Sequence, residues 1–196
     1  MTIKQIEGLH HVTSMASSAR ENNAFFTDVL GLRRVKKTVN FDAPDVYHLY
    51  YGDEAGSPGT VMTYFPFPHI RQGRPGVGEV GRTVFSVPHG ALPYWRERLA
   101  TAEVAGIADA DDFGEKRLNF DGPDGDGFAL VEADDSRDPW TGNGVSADEA
   151  IRGFQSTTMR LRDDGAMGEL LTFMGYTKGE TRGGVTRFIR EGGNEV

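Results

Sequence analysis

The sequence predicts an α+β fold made of repeated β-α-β-β-β modules. Two observations support this class. Strand-like and helix-like segments recur along the chain in the same order, and "GLHHVT" at Gly8 has a counterpart in "GFQSTT" at Gly153. Repetition of a supersecondary unit within one chain is a strong signal of fold. We therefore expect curved mixed sheets with the helices outside.

The first module covers about residues 5–70. Its first strand is predicted over 7–16, and the helix follows in "SSARENNAFFTDVLG", whose apolar residues recur at helical spacing before Gly31 ends it. Three β-rich runs come next, "LRRVKKTVNF", "VYHLYYGD" and "GTVMTYFPF", separated by turn-forming segments. The order is β-α-β-β-β.

The second module covers about residues 78–135, and together the two modules form a predicted unit over 1–145. "GRTVFSVP" is its first strand, "ALPYWRERLATAEV" its helix, and "EKRLNF" and "GFALVEA" are later strands. Residues 146–196 are predicted to be a linker and the start of a third module, which stops before its fourth strand. We expect a truncated architecture with an exposed edge strand, and therefore either association with another chain or disorder near residue 196.

Composition excludes several classes of function. Asp and Glu outnumber Lys and Arg by 29 to 21, which gives a net charge of −8 and disfavours nucleic acid or an anionic membrane as partner. The chain has no cysteine, so His, Asp and Glu must hold any metal. It shows neither a signal peptide nor a long apolar span, which predicts a cytoplasmic protein that binds a small molecule.

Two consecutive histidines, His10 and His11, lie in the first predicted strand. Neighbouring side chains of a strand point to opposite faces, so only one imidazole can line a given pocket while the other supports it. An isolated strand histidine is commonly a core residue, and the pattern alone leaves both interpretations open.

The motifs "HHVTSMA" and "FFTDVLGL", placed in repeated β-α-β-β-β modules, resemble the vicinal oxygen chelate superfamily of glyoxalases, extradiol dioxygenases and bleomycin-resistance proteins. The stretch over residues 31–68 is more narrowly similar to ring-cleaving dioxygenases that open hydroquinones and chlorohydroquinones. That branch has four modules and uses iron.

The resemblance implies that His11 is a ligand of Fe(II), with Mn(II) or another divalent metal as alternatives. Members of the branch take a further histidine and a glutamate from module four, which has no counterpart here. His10, and Thr13 on the face of His11, are candidates for orienting a ligand or substrate oxygen. The complete protein is then expected to be a dioxygenase, and the 196-residue chain alone to be inactive.

Comparison of the modules indicates that module one alone carries the site. The position of His11 corresponds to Ser156 in the third copy and roughly to Thr83 in module two. Ala129 stands where two-module relatives have a glutamate ligand, and Glu132 is expected to face the other way and cap the sheet edge. Module two is therefore interpreted as scaffold.

The implied chemistry is O2-dependent cleavage of a hydroquinone or catechol-like ring, with a small aromatic substrate and O2 as partners and a homo-oligomer as the expected assembly. Two imidazoles and one carboxylate leave coordination positions for both reactants on iron. A glyoxalase-type isomerase or lyase, and a metal-free aromatic-binding protein similar to the bleomycin-resistance relatives, remain alternatives.

Other motifs are interpreted as structural. "GVGEVG" precedes a strand and not a helix, so it does not predict a dinucleotide site. "DGPDGDG" lacks the spacing of a calcium loop and predicts a hairpin turn. His48 is expected to pack in the sheet, while His69 and His89 are expected in solvated loops.

Overall fold

The computed structural model describes residues 6–196 and confirms the α+β class. Module one contains β1 (His11–Ala16), α1 (Ala19–Ala24), β2 (Arg33–Val39), β3 (Tyr47–Gly52) and β4 (Val61–Pro66). Module two contains β5 (Glu79–Val87), α2 (Leu92–Thr101), β6 (Ala108–Asp112), β7 (Glu115–Asp121) and β8 (Gly127–Glu132). After these come β9 (Gly153–Arg160), α3 (Gly165–Phe173), β10 (Thr177–Arg182) and β11 (Val185–Ile189).

Module one forms a four-stranded sheet in the order β1-β4-β3-β2, in which β1 is parallel to β4 and the other pairs are antiparallel. The hydroxyl of Ser18 caps α1 by accepting a hydrogen bond from the amide of Glu21. The helix continues directly into a π-helical turn over Phe25–Val29, which buries two phenylalanines. Gly31 follows at φ 71°, where the side chain of Val145 leaves no room for a Cβ.

Module two repeats this topology, because β6, β7, β8 and β5 are neighbours in that order and β5 is parallel to β8. Its helix α2 begins with Pro93 in the first turn, a position that tolerates proline because the amide there needs no partner within the helix. Trp95 and Leu99 are fully buried. The indole of Trp95 donates a 2.7 Å hydrogen bond to the carbonyl of Glu149.

Strand β9 extends the sheet of module two by pairing antiparallel with β5. The third copy then provides α3, β10 and β11, and Glu195 forms bridges to Ser156 on β9 and to Ile189 on β11. In module one β4 occupies this position between the first and third strands. The extent of the third copy stays a prediction, because Glu195 forms only isolated bridges at this position.

One aromatic core joins modules one and two. Phe26 stacks on Tyr51 with ring centroids 4.8 Å apart and meets Phe128 of module two edge-on at 5.9 Å. Phe85 packs against Phe128 and, at 5.4 Å, against Phe154 of the third copy. Burial of these large rings is the main favourable contribution to the fold.

A single guanidinium connects all three copies. Arg137 donates to the carbonyl of Gly59 at 3.0 Å and to that of Phe154 at 2.9 Å. Asp135 binds the same guanidinium at 2.6 Å. Burial acts to raise the pKa of Asp135, but hydrogen bonds from Arg137 and Ser86 outweigh it and leave that pKa lowered.

Within residues 6–196, no helix is long and apolar enough to cross a membrane. The predicted division into residues 1–145 and 146–196 stays a prediction, because the shared sheet and core do not by themselves define a boundary.

Candidate functional site

His10 and His11 lie at the start of β1, and both side chains are exposed. Their Nδ1 atoms are 3.1 Å apart, and the rings meet edge-to-face. Strand alternation does not separate the two residues, because β1 begins at His11 and His10 precedes it. In the tautomer in which Nδ1 of His11 donates to His10, the Nε2 of His11 has a lone pair for a ligand.

Thr13 follows His11 on the same face of β1. Its hydroxyl lies 2.8 Å from the hydroxyl of Thr63, its direct neighbour on β4. Thr63 in turn stands opposite Tyr50 on β3. These three residues therefore form one row across the sheet, beside His11.

The next row on this face carries Phe65 and His48. The imidazole of His48 packs against two tilted rings, with centroids 4.1 Å from Tyr50 and 4.0 Å from Phe65. Its Nδ1 lies 2.8 Å from the hydroxyl of Tyr50. We call this side of module one the open face, and it consists of His11, Thr13, His48, Tyr50, Thr63 and Phe65.

The open face has an equivalent in module two. Two corresponding backbone hydrogen bonds show which residues of the two modules are equivalent. The amide of Phe67 donates to the carbonyl of Ala16, and the amide of Ala133 donates in the same way to Val87. Each bond joins the residue after a module's last strand to the end of its first strand. Counting back from these ends equates Thr13 with Val84, and His11 with Arg82.

The assignment of Thr83 to the position of His11 is therefore wrong by one residue. Thr83 points to the opposite side of β5, the side from which Phe85 and Val87 enter the core. The Arg82 side chain instead donates to the carbonyl of Phe128 at 2.7 Å.

The same counting defines the filled face of module two, which consists of Arg82, Val84, Arg117, Asn119, Ala129 and Val131. Val84 and Ala129 are fully buried, and Arg117 is only 5% exposed. The guanidinium of Arg117 pairs with Asp112 at 3.1 Å and Glu115 at 3.0 Å. Arg117 corresponds to His48, and Asn119 corresponds to Tyr50.

The remaining sequence predictions have mixed outcomes. "GVGEVG" does lead into a strand, β5, and "DGPDGDG" does connect two strands, β7 and β8. Glu132 does not cap a sheet edge, because its carboxylate accepts a hydrogen bond from the amide of Leu92 at the start of α2. His69 is exposed, and His89 forms an exposed pair with Asp134.

The turn between β7 and β8 also has a role that its motif does not reveal. Asp126 accepts hydrogen bonds from Ser14 at 2.8 Å and Tyr64 at 3.1 Å, both in module one. Burial raises the pKa of Asp126, although these two hydrogen bonds oppose the rise. The turn thus connects the two modules.

Metal ligands are incomplete in the part of the chain that the structure describes. Among residues 6–196, no three His, Asp or Glu side chains converge closely enough to hold a metal ion. In the tautomer with the proton on Nδ1, the Nε2 of His11 suits one coordination position, and the Nδ1 contact with His10 holds the ring as a partner of a metal-binding imidazole does.

The fold defines the class of the protein. A glyoxalase family protein of Enterococcus faecalis superposes on 63% of this chain, and on 96% of its own, with a TM-score of 0.53 at 19% identity. A structure described as a dioxygenase candidate from Bacillus subtilis superposes on 97% of the chain with a TM-score of 0.92 at 38% identity. No protein-family model matches. The chain belongs to the vicinal oxygen chelate superfamily.

Within that superfamily the chain is similar to proteins named as ring-cleaving dioxygenases. The candidate ring-cleaving dioxygenase MhqE of Bacillus subtilis is 47% identical over 174 residues, which are 88% of this chain and 57% of MhqE. MhqO of the same organism is 39% identical over 96% of the chain and 61% of its own length.

A third relative has a named substrate. The chlorohydroquinone/hydroquinone 1,2-dioxygenase of Sphingobium indicum is 39% identical over 81% of this chain and 51% of its own length. The chain thus spans between half and about three fifths of the length of these curated relatives.

Proposed function

We propose that the complete protein containing these 196 residues is a non-haem Fe(II)-dependent dioxygenase that cleaves hydroquinone or catechol-like rings. The observation that carries this proposal is the open face of module one. There an exposed imidazole, a pair of hydroxyl groups and a row of aromatic side chains share one side of a sheet. Similarity to ring-cleaving dioxygenases supports the same reaction class.

His11 is proposed as one metal ligand, through Nε2, with His10 as the residue that holds its ring. When bound there, Fe(II) would bring the phenol oxygen and O2 together on one ion and favour the deprotonated phenol. The remaining ligands would come from outside residues 6–196. Mn(II) or another divalent ion stays an alternative.

The residues of this chain would bind and orient the ring. The hydroxyl pair of Thr13 and Thr63 can donate or accept hydrogen bonds, so it can hold a substrate oxygen near His11. Phe65 and Tyr50 present apolar ring surface, which favours an aromatic substrate and excludes water from it. At the equivalent positions the filled face of module two carries buried Val84 and Ala129 and the paired guanidinium of Arg117 instead.

A cytoplasmic location, association into a homo-oligomer and the division at residue 145 belong to the same proposal. So does the expectation that the 196-residue chain alone does not turn over.

The test is O2 uptake by the complete protein after anaerobic loading with Fe(II), measured with a panel of hydroquinones and catechols. Bound iron is measured separately, in wild type, His11→Ala and His10→Ala. We expect His11→Ala to lose iron and O2 uptake, while His10→Ala keeps part of both. Full iron content in His11→Ala would contradict the ligand assignment, and absence of O2 uptake with every ring would overturn the reaction.

A glyoxalase-type isomerase would convert its substrate without consuming O2. An aromatic-binding protein would bind the rings and leave them unchanged. Product analysis in the same experiment separates these two alternatives from ring cleavage.

A further inference from the structure

Tyr50 and His48 form a hydrogen-bonded pair whose role the proposed function does not yet explain. The phenol hydroxyl lies 2.8 Å from Nδ1 of the imidazole, and the two rings pack at an angle of 35° with centroids 4.1 Å apart. Phe65 also packs against His48, with ring centroids 4.0 Å apart. Two polar groups are therefore fixed in direction by three packed rings.

The pair faces the same space as His11. Thr13, Thr63 and Tyr50 are direct neighbours on three adjacent strands. Because strands lie about 4.8 Å apart, the backbone of Tyr50 is about 10 Å from that of Thr13 across the row. The charge of His11 contributes to the lowered pKa of His48, so the two imidazoles interact electrostatically across this gap. Tyr50 and His11 thus stand on opposite sides of the hydroxyl pair.

Both members of the pair are in their neutral forms. Burial raises the pKa of Tyr50, so the phenol keeps its proton. Burial, followed by the charges of Lys36 and His11, lowers the pKa of His48, so its imidazole is uncharged. A neutral imidazole can accept the phenol proton at Nδ1, and the oxygen of Tyr50 then remains an acceptor for a further hydrogen bond.

Module two shows that the sheet itself does not require this pair. The same positions of the same ladder carry Asn119 and Arg117, and the register between the strands is unchanged. Tyrosine and histidine at residues 50 and 48 are thus a feature of the open face and not of the module.

We propose that Tyr50 accepts a hydrogen bond from a second hydroxyl group of the substrate, on the side of the ring opposite the oxygen held near His11. His48 is a positioning residue, which directs the proton of Tyr50 away from the substrate. The inference rests on the proposed function and makes it narrower. A 1,4-dihydroxy ring presents a hydroxyl at this point, whereas a ring with a single hydroxyl does not.

The test compares hydroquinone with phenol in the complete, Fe(II)-loaded protein under anaerobic conditions, with binding measured by titration calorimetry. Tyr50→Phe loses one hydrogen bond, so we expect its affinity for hydroquinone to fall about tenfold and its affinity for phenol to stay unchanged. With O2 present, KM for hydroquinone should rise by a similar factor while kcat changes less. Thermal unfolding confirms that the variant folds.

Tyr47→Phe is the matched control, because Tyr47 lies on the same strand but points to the other side, where Lys37 contacts its ring. This variant should change the affinity for neither hydroquinone nor phenol. His48→Phe keeps an aromatic ring and should weaken hydroquinone as Tyr50→Phe does, while His48→Gln, which restores a hydrogen-bonding side chain, should recover part of the affinity.

If Tyr50→Phe weakened the binding of hydroquinone and phenol equally, the inference would be overturned, since Tyr50 would then only pack against the ring. Unchanged hydroquinone affinity would overturn it as well. In both cases O2 uptake by the wild type would still support the proposed function, whereas its absence with every ring would remove the proposed function whatever the binding data show.

Discussion

The open face of module one and the filled face of module two occupy the same positions in sheets of the same topology, yet they carry different side chains. The open face carries exposed His11 and Thr13, while the filled face carries half-buried Arg82 and buried Val84 at the equivalent positions. The strand register is the same in both. The difference teaches that the fold tolerates either set, so the polar groups of module one serve contacts beyond the sheet.

The largest expected effect compares Arg117→Ala with His48→Ala, two changes at equivalent positions. Removing the buried guanidinium leaves Asp112 without this partner and Glu115 with Arg187 alone, which we expect to cost about 3 kcal/mol of unfolding free energy. His48→Ala should cost about 1 kcal/mol, since it loses one hydrogen bond and ring packing. Urea denaturation of both variants measures the difference, and equal losses would show that the two faces are energetically alike.

A swap between the faces should have the next largest effect. Val84→Thr places a hydroxyl among buried apolar neighbours, at an expected cost of about 2 kcal/mol. The reverse change, Thr13→Val, removes only the bond to Thr63 and should cost about 1 kcal/mol. If Val84→Thr unfolds at the urea concentration of the wild type, the filled face is not as tightly packed as the structure indicates.

The variants Arg82→Ala and His11→Ala, at equivalent positions of the two faces, should have different effects: the first on stability and the second on metal binding. Arg82→Ala loses the hydrogen bond to Phe128 and is expected to cost about 1 kcal/mol without affecting metal affinity. His11→Ala changes an exposed side chain and should stay within about 0.5 kcal/mol of wild type. A Co(II) titration followed by absorbance then tests whether only His11→Ala weakens binding.

The smallest effect concerns the turn that joins the two modules. Because the folded-state pKa of Asp126 is raised, its stabilising contribution is full below the unfolded pKa near 3.8 and is lost as the pH rises through the folded pKa. Asp126→Asn carries no charge at any pH. We expect the Asp126→Asn variant to become more stable relative to wild type as the pH rises through that window.

Denaturation at several pH values measures this difference. Other acidic groups, such as Asp135 with its lowered pKa, are common to both proteins and cancel. A difference that does not vary with pH would show that Asp126 titrates as it does in the unfolded chain.

Much of the fold could be predicted from sequence because apolar spacing and turn residues mark most elements. Strand β6 is an exception, since its sequence "ADADD" is acidic and has no hydrophobic alternation. It forms because β7 offers it a full antiparallel ladder. Such long-range pairing leaves no local signal in the strand itself.

The site was predictable only in part. His11 and Thr13 stand on the open face, but their roles stay predictions. The prediction that His48 packs in the sheet was incomplete, because it does stack on its neighbours and also bonds to Tyr50. Its spacing from Tyr50 hinted at a shared face, yet only the register of β3 against β4 and β1 shows that this face is the one bearing His11.

Arg137 has a consequence for the order in which the chain folds during synthesis. The carbonyl of Gly59 accepts from the Arg137 side chain and from the amide of Phe154, while the amide of Gly59 donates to the carbonyl of His10. Both hydrogen bonds that the Gly59 carbonyl accepts therefore form only after Arg137 and Phe154 have left the ribosome. A nascent chain stalled before Arg137 would therefore leave the carbonyl of Gly59, in the loop bonded to His10, without either of these hydrogen bonds.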